Sequence, residues 1–165
     1  TKALEHYKII EQIQPSNLQS LLAIAFIYDL EGNGLKAENY YRKVLEIDPK
    51  HSDAANNLAY ILSENDNQLE EALQLAKIAN QNRQNNSNYL DTLGWIYYQK
   101  GNYLGAISTL KESLEIDPEN PLTCYHYGMA LYINKEYEEA REYFRKSLTL
   151  NPSFEKADEA RKMLN

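Results

Sequence analysis

The sequence has little cysteine, no excess of basic residues and no long apolar run. Its 165 residues include one cysteine, Cys124, so no disulfide bond can form within the chain. This fits a reducing compartment without excluding an oxidising one. No segment approaches the roughly 20 continuous apolar residues that span a bilayer. No targeting segment is evident, the compartment is not fixed, and a cytoplasmic location is slightly favoured.

Basic residues are outnumbered by acidic ones. The chain has 17 Lys and Arg against 24 Asp and Glu, a formal net charge of -7 and a pI of about 5.0. Such a chain repels a phosphate backbone on average. Its densest basic stretch, Arg141 to Lys146, is interleaved with glutamates that can pair with it on a helix face. We therefore expect no nucleic-acid partner.

Residues that carry chemistry are few and dispersed. Among His6, His51 and His126 no two have the i, i+3 or i+4 spacing of a metal-binding pair. Cys124 lies near a predicted helix start, where a thiol can become acidic, but no histidine partner is evident, so we expect an inert, half-buried thiol. The acidic residues form no evident dyad. We expect no catalytic residue, no metal, no cofactor and no enzyme activity.

The sequence does contain an internal repeat. Pro15 and Pro49 are 34 residues apart, as are Pro118 and Pro152. The interval between Pro49 and Pro118 is 69, or two periods and one extra residue, which predicts a missing proline near Gln84. Two columns of small residues keep the same spacing: Ala3, Ala37, Ala72, Ala106 and Ala140, and then Ala25, Ala59, Gly94 and Gly128. The extra residue falls within the polar run 63–68.

The repeats read as helices. Leu21, Ile24, Ala25 and Tyr28 follow an i, i+3, i+4, i+7 stripe, and no segment alternates with strand period. Small residues in both columns fit a close crossing of two helices. Gly and Asn between the columns tolerate the left-handed backbone that ends a helix, and each proline prevents a helix from continuing.

A large residue, a small one, an aromatic, a turn, an alanine and a proline recur in each unit. The tetratricopeptide repeat is the pattern that repeat 87–120 resembles, with Leu93-Gly94, Tyr97, Gly101-Asn102-Tyr103, Ala106 and Pro118. The pattern recurs in register in the three other units. The resemblance implies an all-α, right-handed α-solenoid of antiparallel helix pairs, a tetratricopeptide superhelix in one domain. We expect a second helix of a truncated repeat at 1–17, full repeats at 18–51, 52–86, 87–120 and 121–154, and a capping helix at 155–165.

Repeat 52–86 departs from the pattern, since Leu62 replaces the aromatic and Gln84 the proline. Its polar end, 80–86, is interpreted as a frayed helix end, with a hinge as the alternative. The start in mid-repeat suggests a piece of a longer protein.

The resemblance implies that first helices line a concave wall. Residues directly after the small column form a ladder, and residues one turn either side extend it. The predicted peptide-binding groove is Leu22, Phe26, Asp29, Asn56, Tyr60, Asp91, Trp95, Tyr98, Tyr125, Met129 and Tyr132. Aromatics supply much of the energy at recognition sites, although aromatics on a helix are also commonly core residues.

The predicted function is a protein-protein interaction module. Some tetratricopeptide domains clamp a C-terminal carboxylate with Lys and Arg on these helices, but no cation stands at the matching positions here. We therefore expect an apolar or basic peptide, or a helix, rather than an acidic C-terminal tail. Two alternatives stay open: self-assembly as a homo-oligomer through the apolar N-terminal helix around Leu4, Tyr7, Ile10 and Ile13, and a docking domain of a larger enzyme.

Overall fold

The structure is a computed structural model that describes residues 1–64, 68–82 and 85–164, excluding the side chain of Asn82. The described residues form ten α-helices and no strand, which confirms the all-α prediction. The helices fall into two compact units, Thr1–Asn82 and Arg83–Asn165.

Five helices make up the first unit, and each packs against the next one along the chain. They are α1 (Lys2–Ile13), α2 (Leu18–Leu30), α3 (Gly34–Ile47), α4 (Ser52–Ser63) and α5 (Leu69–Asn82). The core of the unit contains the predicted stripe of α2 together with Tyr41 of α3 and Leu58 of α4, all buried. Helix α1 has no buried residue, and Ile9 and Ile13 on it are exposed.

The second unit repeats this arrangement with α6 (Ser87–Gln99), α7 (Tyr103–Ile116), α8 (Pro121–Ile133), α9 (Tyr137–Leu150) and the short α10 (Ala157–Lys162). Consecutive helices from α6 to α10 pack together, and α6 also contacts α8. Phe154, Ala157 and Ala160 are buried at the end of the unit, so the last helix covers part of the core with its small apolar face.

Helix boundaries lie where the sequence has asparagine and proline. Asparagine side chains cap five helices by accepting a backbone N–H, from positions 17, 33, 86, 102 and 120. The residue before each of four prolines leaves helical geometry: φ is -135° at Gln14, -128° at Asp48, -131° at Asp117 and -149° at Asn151. Proline sterically disfavours helical geometry at the residue before it, which explains why the regularly spaced prolines follow helix ends.

Three hairpin tips use a residue with left-handed backbone. The φ angle is +70° at Gly32 and +76° at Gly101, as the sequence predicts. In the third tip the left-handed residue is Lys135, with φ +69°, rather than the neighbouring Asn134. A side chain carrying Cβ is strained in this conformation, so the third tip is less favourable locally than the first two.

Two small residues of the first helices, Gly94 and Gly128, lie against a large residue of the second helix of their repeat. A Cβ on Gly94 would lie 2.6 Å from Cγ of Leu110, and a Cβ on Gly128 would lie 2.7 Å from Cε1 of Phe144. Each glycine therefore makes room for a large residue, one turn beyond the alanine of the second helix. The expectations about the extra residue at 63–68 and the missing proline at Gln84 depend on 65–67 and 84, which lie outside the described residues.

Candidate functional site

An open pocket of about 390 Å³ lies between α2 and α4 in the first unit. Helix α2 contributes its apolar lining, and Phe26 remains 51% exposed there. Helix α4 contributes polar residues only, and Gln19 of α2 adds a further polar side chain. The lining residues are Gln19, Leu22, Ala23, Phe26, Asp53 and Asn57.

The pocket exists because α2 is apolar on more than one face. Leu21, Ile24 and Tyr28 use one stripe of the helix for the core. Two of the other apolar residues of α2, Leu22 and Phe26, are one turn apart on another face, where Leu22 is half-buried and Phe26 is exposed. An exposed apolar surface bordered by polar residues is one form that an interaction site takes.

Polar groups at the pocket are tied to the core by Tyr41. Asn57 donates a hydrogen bond from Nδ2 to the Tyr41 hydroxyl over 3.0 Å. Burial raises the pKa of Tyr41, and Asp29, as a hydrogen-bond partner, and the charge of Asp53 raise it further. The phenol therefore stays protonated at neutral pH.

The other predicted residues of the first unit have different positions. Asn56 is buried, donates to Oδ1 of Asn57 over 3.2 Å and does not line the pocket. Tyr60 is half-buried, as is Asp29. Sequence reasoning missed Asp53 and Asn57, although their i, i+4 spacing on one face of α4, beside the predicted ladder, was a usable signal.

In the second unit the corresponding positions form an aromatic stack. The indole ring of Trp95 lies flat against the ring of Tyr98, with centroids 4.8 Å apart, and against the imidazole of His126, with centroids 4.2 Å apart. Trp95 is only 8% exposed. This part of the predicted ladder is therefore packed interior rather than open wall.

Asp91 holds His126 in this stack. Its Oδ1 lies 2.9 Å from Nδ1 of the imidazole, in a contact that is buried on both sides. An ionised carboxylate only accepts, so Nδ1 donates to it. This pairing is not among the sequence predictions. The signal was that residues 91 and 126 are one period and one residue apart, which puts them near the same level of neighbouring first helices.

Three more predicted residues differ in exposure. Tyr125 is buried and donates its hydroxyl to Oε2 of Glu159 over 2.8 Å. Met129 is half-buried, and Tyr132 is exposed. The structure thus brings Leu22 and Phe26 together in a pocket, packs Asp91, Trp95 and Tyr125 into the second unit, and leaves Tyr132 at the surface.

The thiol of Cys124 is fully buried, more than the half-buried position we expected. Burial raises its pKa to about 11, so it is a thiol and not a thiolate at neutral pH. Across 1–64, 68–82 and 85–164 there is no cluster of three or more His, Cys, Asp or Glu residues that could hold a metal ion. No helix within these ranges has the length and apolar character to cross a bilayer.

Three family models match the sequence. One, described as anaphase-promoting complex, cyclosome, subunit 3, matches residues 65–147. Two described as tetratricopeptide repeat match residues 40–74 and 18–51.

Known proteins with similar sequences or folds include a pilus assembly protein. The type IV pilus assembly protein PilF of Pseudomonas aeruginosa is 32% identical over 127 residues, or 75% of this chain and 50% of PilF. The chain thus spans about half the length of this relative.

Two solved structures share the fold. PilW, described as a widely conserved type IV pilus biogenesis factor, matches with a TM-score of 0.78 and 21% identity, over 96% of this chain and 75% of its own. YrrB, described as a TPR protein with an unusual peptide-binding site, matches with a TM-score of 0.71 and 20% identity, over 98% of this chain and 82% of its own. Together with the three family models and the ten helices, these matches show that the chain belongs to the tetratricopeptide-repeat family.

Proposed function

We propose that this chain is a protein-interaction module that binds a peptide or helix through the pocket between α2 and α4. The observation that carries the proposal is the half-exposed Phe26 beside Leu22 in an open pocket of about 390 Å³. Burying a large aromatic side chain stabilises a complex by roughly 1.5–3 kcal/mol, which makes Phe26 the candidate anchor. The proposal assigns the chain no reaction of its own.

The partner has apolar side chains flanked by a basic residue. The apolar half of the pocket fits a Leu, Ile or Phe side chain. Asp53 lies on the opposite side, and none of the six lining residues is a Lys or Arg. A partner carboxylate would therefore meet like charge, whereas a Lys or Arg beside the apolar anchor would meet opposite charge.

A matched set of variants tests this proposal. The double variant Leu22→Ser/Phe26→Ser removes the apolar lining, while Leu35→Ser alters a leucine that is 79% exposed and lies outside the pocket. Each protein is immobilised, incubated with extract of the source cell, and its retained proteins are quantified by mass spectrometry. We expect a partner that binds the native chain and Leu35→Ser but is lost by the double variant.

Equal retention by the double variant would exclude the pocket as the binding site. Circular dichroism must show the same helical content in all three proteins, since loss of folding would also remove binding. For a partner that passes this test, Asp53→Lys is the second measurement. It should weaken binding by roughly tenfold or less and reduce the dependence of binding on salt, because a surface charge pair contributes up to about 1 kcal/mol.

A second candidate function is a role in assembling type IV pili. The 32% identity to PilF favours it, and the matched segment covers 50% of the length of PilF. Deletion of the gene, followed by counting of surface pili by electron microscopy, tests it directly. Unchanged piliation would remove this candidate and leave the general interaction function intact. For the general interaction function we propose a cytoplasmic location, and cell fractionation tests it.

Self-assembly and docking within a larger enzyme remain alternatives. The exposed Ile9 and Ile13 on α1 support the first. Sedimentation velocity over a hundredfold range of concentration tests it, and a strict monomer throughout would exclude it for this chain. The second would be supported by a catalytic domain elsewhere in the gene.

A further inference from the structure

Two pairs of tyrosines lie at the hairpin tips of the second unit. Tyr98 at the end of α6 contacts Tyr103 at the start of α7, with ring centroids 5.7 Å apart. Tyr132 near the end of α8 contacts Tyr137 at the start of α9, with centroids 5.1 Å apart. Both members of the second pair follow those of the first by 34 residues, so one period separates the two pairs.

At least part of each of these four tyrosines reaches the surface. Tyr103, Tyr132 and Tyr137 are exposed and Tyr98 is half-buried. None of the four hydroxyls has a hydrogen-bond partner in the part of the chain that the structure describes. Burial raises the pKa of Tyr98, so its phenol stays a donor. The flat contact with Trp95 fixes the orientation of the Tyr98 ring.

The separation expected for the two pairs, from the packing of the helices that carry them, fits one kind of ligand backbone. Helices α6 and α8 pack against each other, and packed helix axes lie about 8–10 Å apart. A polyproline II helix rises about 3.1 Å per residue with three residues per turn, so equivalent residues recur about every 9 Å. Its carbonyl groups make no internal hydrogen bonds and can accept from tyrosine hydroxyls, and such segments dock on aromatic surfaces in other domains.

The feature is confined to the second unit. One period earlier, the positions of the first pair hold Ser63 and Leu69, and two periods earlier they hold Asp29 and Gly34. Neither set has an aromatic ring. The pairs are therefore not a requirement of the repeat itself, which needs only helix and turn residues at these positions.

Charge near the second pair is acidic. Glu138 and Glu139 follow Tyr137 in the first turn of α9. The side chain of Glu138 lies 3.4 Å from the guanidinium of Arg141 but is 87% exposed, so this surface ion pair leaves it open to a partner. A partner with Lys or Arg beside its last proline would meet opposite charge here. We infer that the two tyrosine pairs bind a proline-rich segment in polyproline II conformation, with proline at every third residue and a basic residue at the end near α9.

This site is separate from the pocket between α2 and α4, and each can fail without the other. The probe is a fluorescein-labelled synthetic peptide of 12 residues with proline at every third position and two arginines at one end. Two control peptides replace every proline by alanine, or both arginines by glutamate. Binding to the full chain is followed by fluorescence anisotropy.

The double variant Tyr103→Ser/Tyr137→Ser removes one ring from each pair. Leu104→Ser is the matched control, since Leu104 is 71% exposed in the same tip. We expect the double variant to bind the proline peptide at least tenfold more weakly than Leu104→Ser does, because exposed aromatic anchors dominate such surfaces. Tyr103→Phe/Tyr137→Phe should give a smaller loss, since it keeps the rings and removes only the hydroxyl donors.

The alanine peptide should bind at least tenfold more weakly than the proline peptide, and the glutamate peptide more weakly by a smaller factor. Absence of binding by the proline peptide, equal binding of the alanine peptide, or equal affinity of the tyrosine variant and Leu104→Ser would each overturn the inference. Leu22→Ser/Phe26→Ser should leave this affinity unchanged. If it abolishes binding instead, the peptide occupies the pocket between α2 and α4 and the tyrosine site is refuted.

Discussion

Replacing Gly94 by alanine tests how closely the helices of the second unit are packed. The new Cβ would lie 2.6 Å from Cγ of Leu110 and 3.3 Å from its backbone nitrogen. Leu110 is fully buried, so it cannot move into solvent. Adding a carbon to a well-packed core costs about 1–3 kcal/mol, whereas alanine in place of glycine within a helix gains about 1 kcal/mol. The substitution should therefore reduce the free energy of unfolding by about 1 kcal/mol.

Gly34→Ala separates packing from helix propensity. Its Cβ would lie 4.0 Å from Cγ2 of Ile61, an ordinary van der Waals distance. This variant should be as stable as the native chain or up to about 1 kcal/mol more stable. Urea unfolding followed by circular dichroism at 222 nm measures both. Equal unfolding free energies for Gly94→Ala and Gly34→Ala would refute the argument that Gly94 is required for packing.

Shortening Leu110 tests directly whether its side chain competes for space with a Cβ at position 94. In the repeat 52–86 the positions of Gly94 and Leu110 are occupied by Ala59 and Ala76. Where the first helix has alanine instead of glycine, the second helix thus has alanine instead of leucine. The double variant Gly94→Ala/Leu110→Ala should consequently be less damaged than the sum of its single variants by about 1–2 kcal/mol. Strict additivity would mean that the two side chains do not compete for space.

Three further predictions follow from single contacts. Asp91→Ala should destabilise the chain by about 1–3 kcal/mol because it leaves the buried His126 imidazole without its partner, and Asp91→Asn, which retains an acceptor, should cost less, as measured by urea unfolding. Cys124 should resist alkylation at pH 8 unless urea is added. Because its folded pKa, about 11, exceeds the ordinary value of 9.0, its contribution to stability is complete below pH 9 and is lost as pH rises through 11, which Cys124→Ala should abolish. Lys135→Gly should raise the free energy of unfolding by about 1 kcal/mol, because glycine adopts the left-handed backbone without strain. Gly101→Ala, which places a Cβ on a left-handed residue, should lower it by a similar amount.

The elements were predictable because their signals are local. Proline, asparagine and glycine act on their own backbone and that of a neighbour, so Pro118 and Gly101 marked helix ends wherever the tertiary structure placed them. The apolar stripe of α2 is equally local, since it depends only on the period of the helix. Periodicity then repeated each signal in successive units, so that one ambiguous residue, such as Lys135, did not obscure the pattern.

The candidate sites were only partly predictable because they depend on how side chains meet between helices. The ladder predicted Leu22 and Phe26 as neighbours on one face of α2, and both line the pocket. It did not predict that Asp53 and Asn57, rather than Asn56, line the pocket. Neighbouring residues on a helix point in different directions, so the orientation of α4 about its axis determines which of them faces α2. The exposure of Trp95 was likewise set by its neighbour and not by its own position in the repeat.

One position decides whether the space beside the ladder is open or filled. Asn57 on α4 and His126 on α8 are equivalent by the repeat, 69 residues apart. Asn57 is short and leaves the pocket beside Phe26, whereas the larger imidazole of His126 covers the ring of Trp95. His126→Asn should therefore expose Trp95. Because the chain has a single tryptophan, its emission should shift to longer wavelength and its quenching by acrylamide should increase, with helical content retained.

The reciprocal change, Asn57→His, should close the pocket by stacking on Phe26 and so reduce partner capture to the level of Leu22→Ser/Phe26→Ser. An unchanged emission spectrum in His126→Asn would show that Trp95 is shielded by Tyr98 and the backbone instead. In that case the identity of this one residue could not explain why Phe26 is open to the pocket while Trp95 is buried.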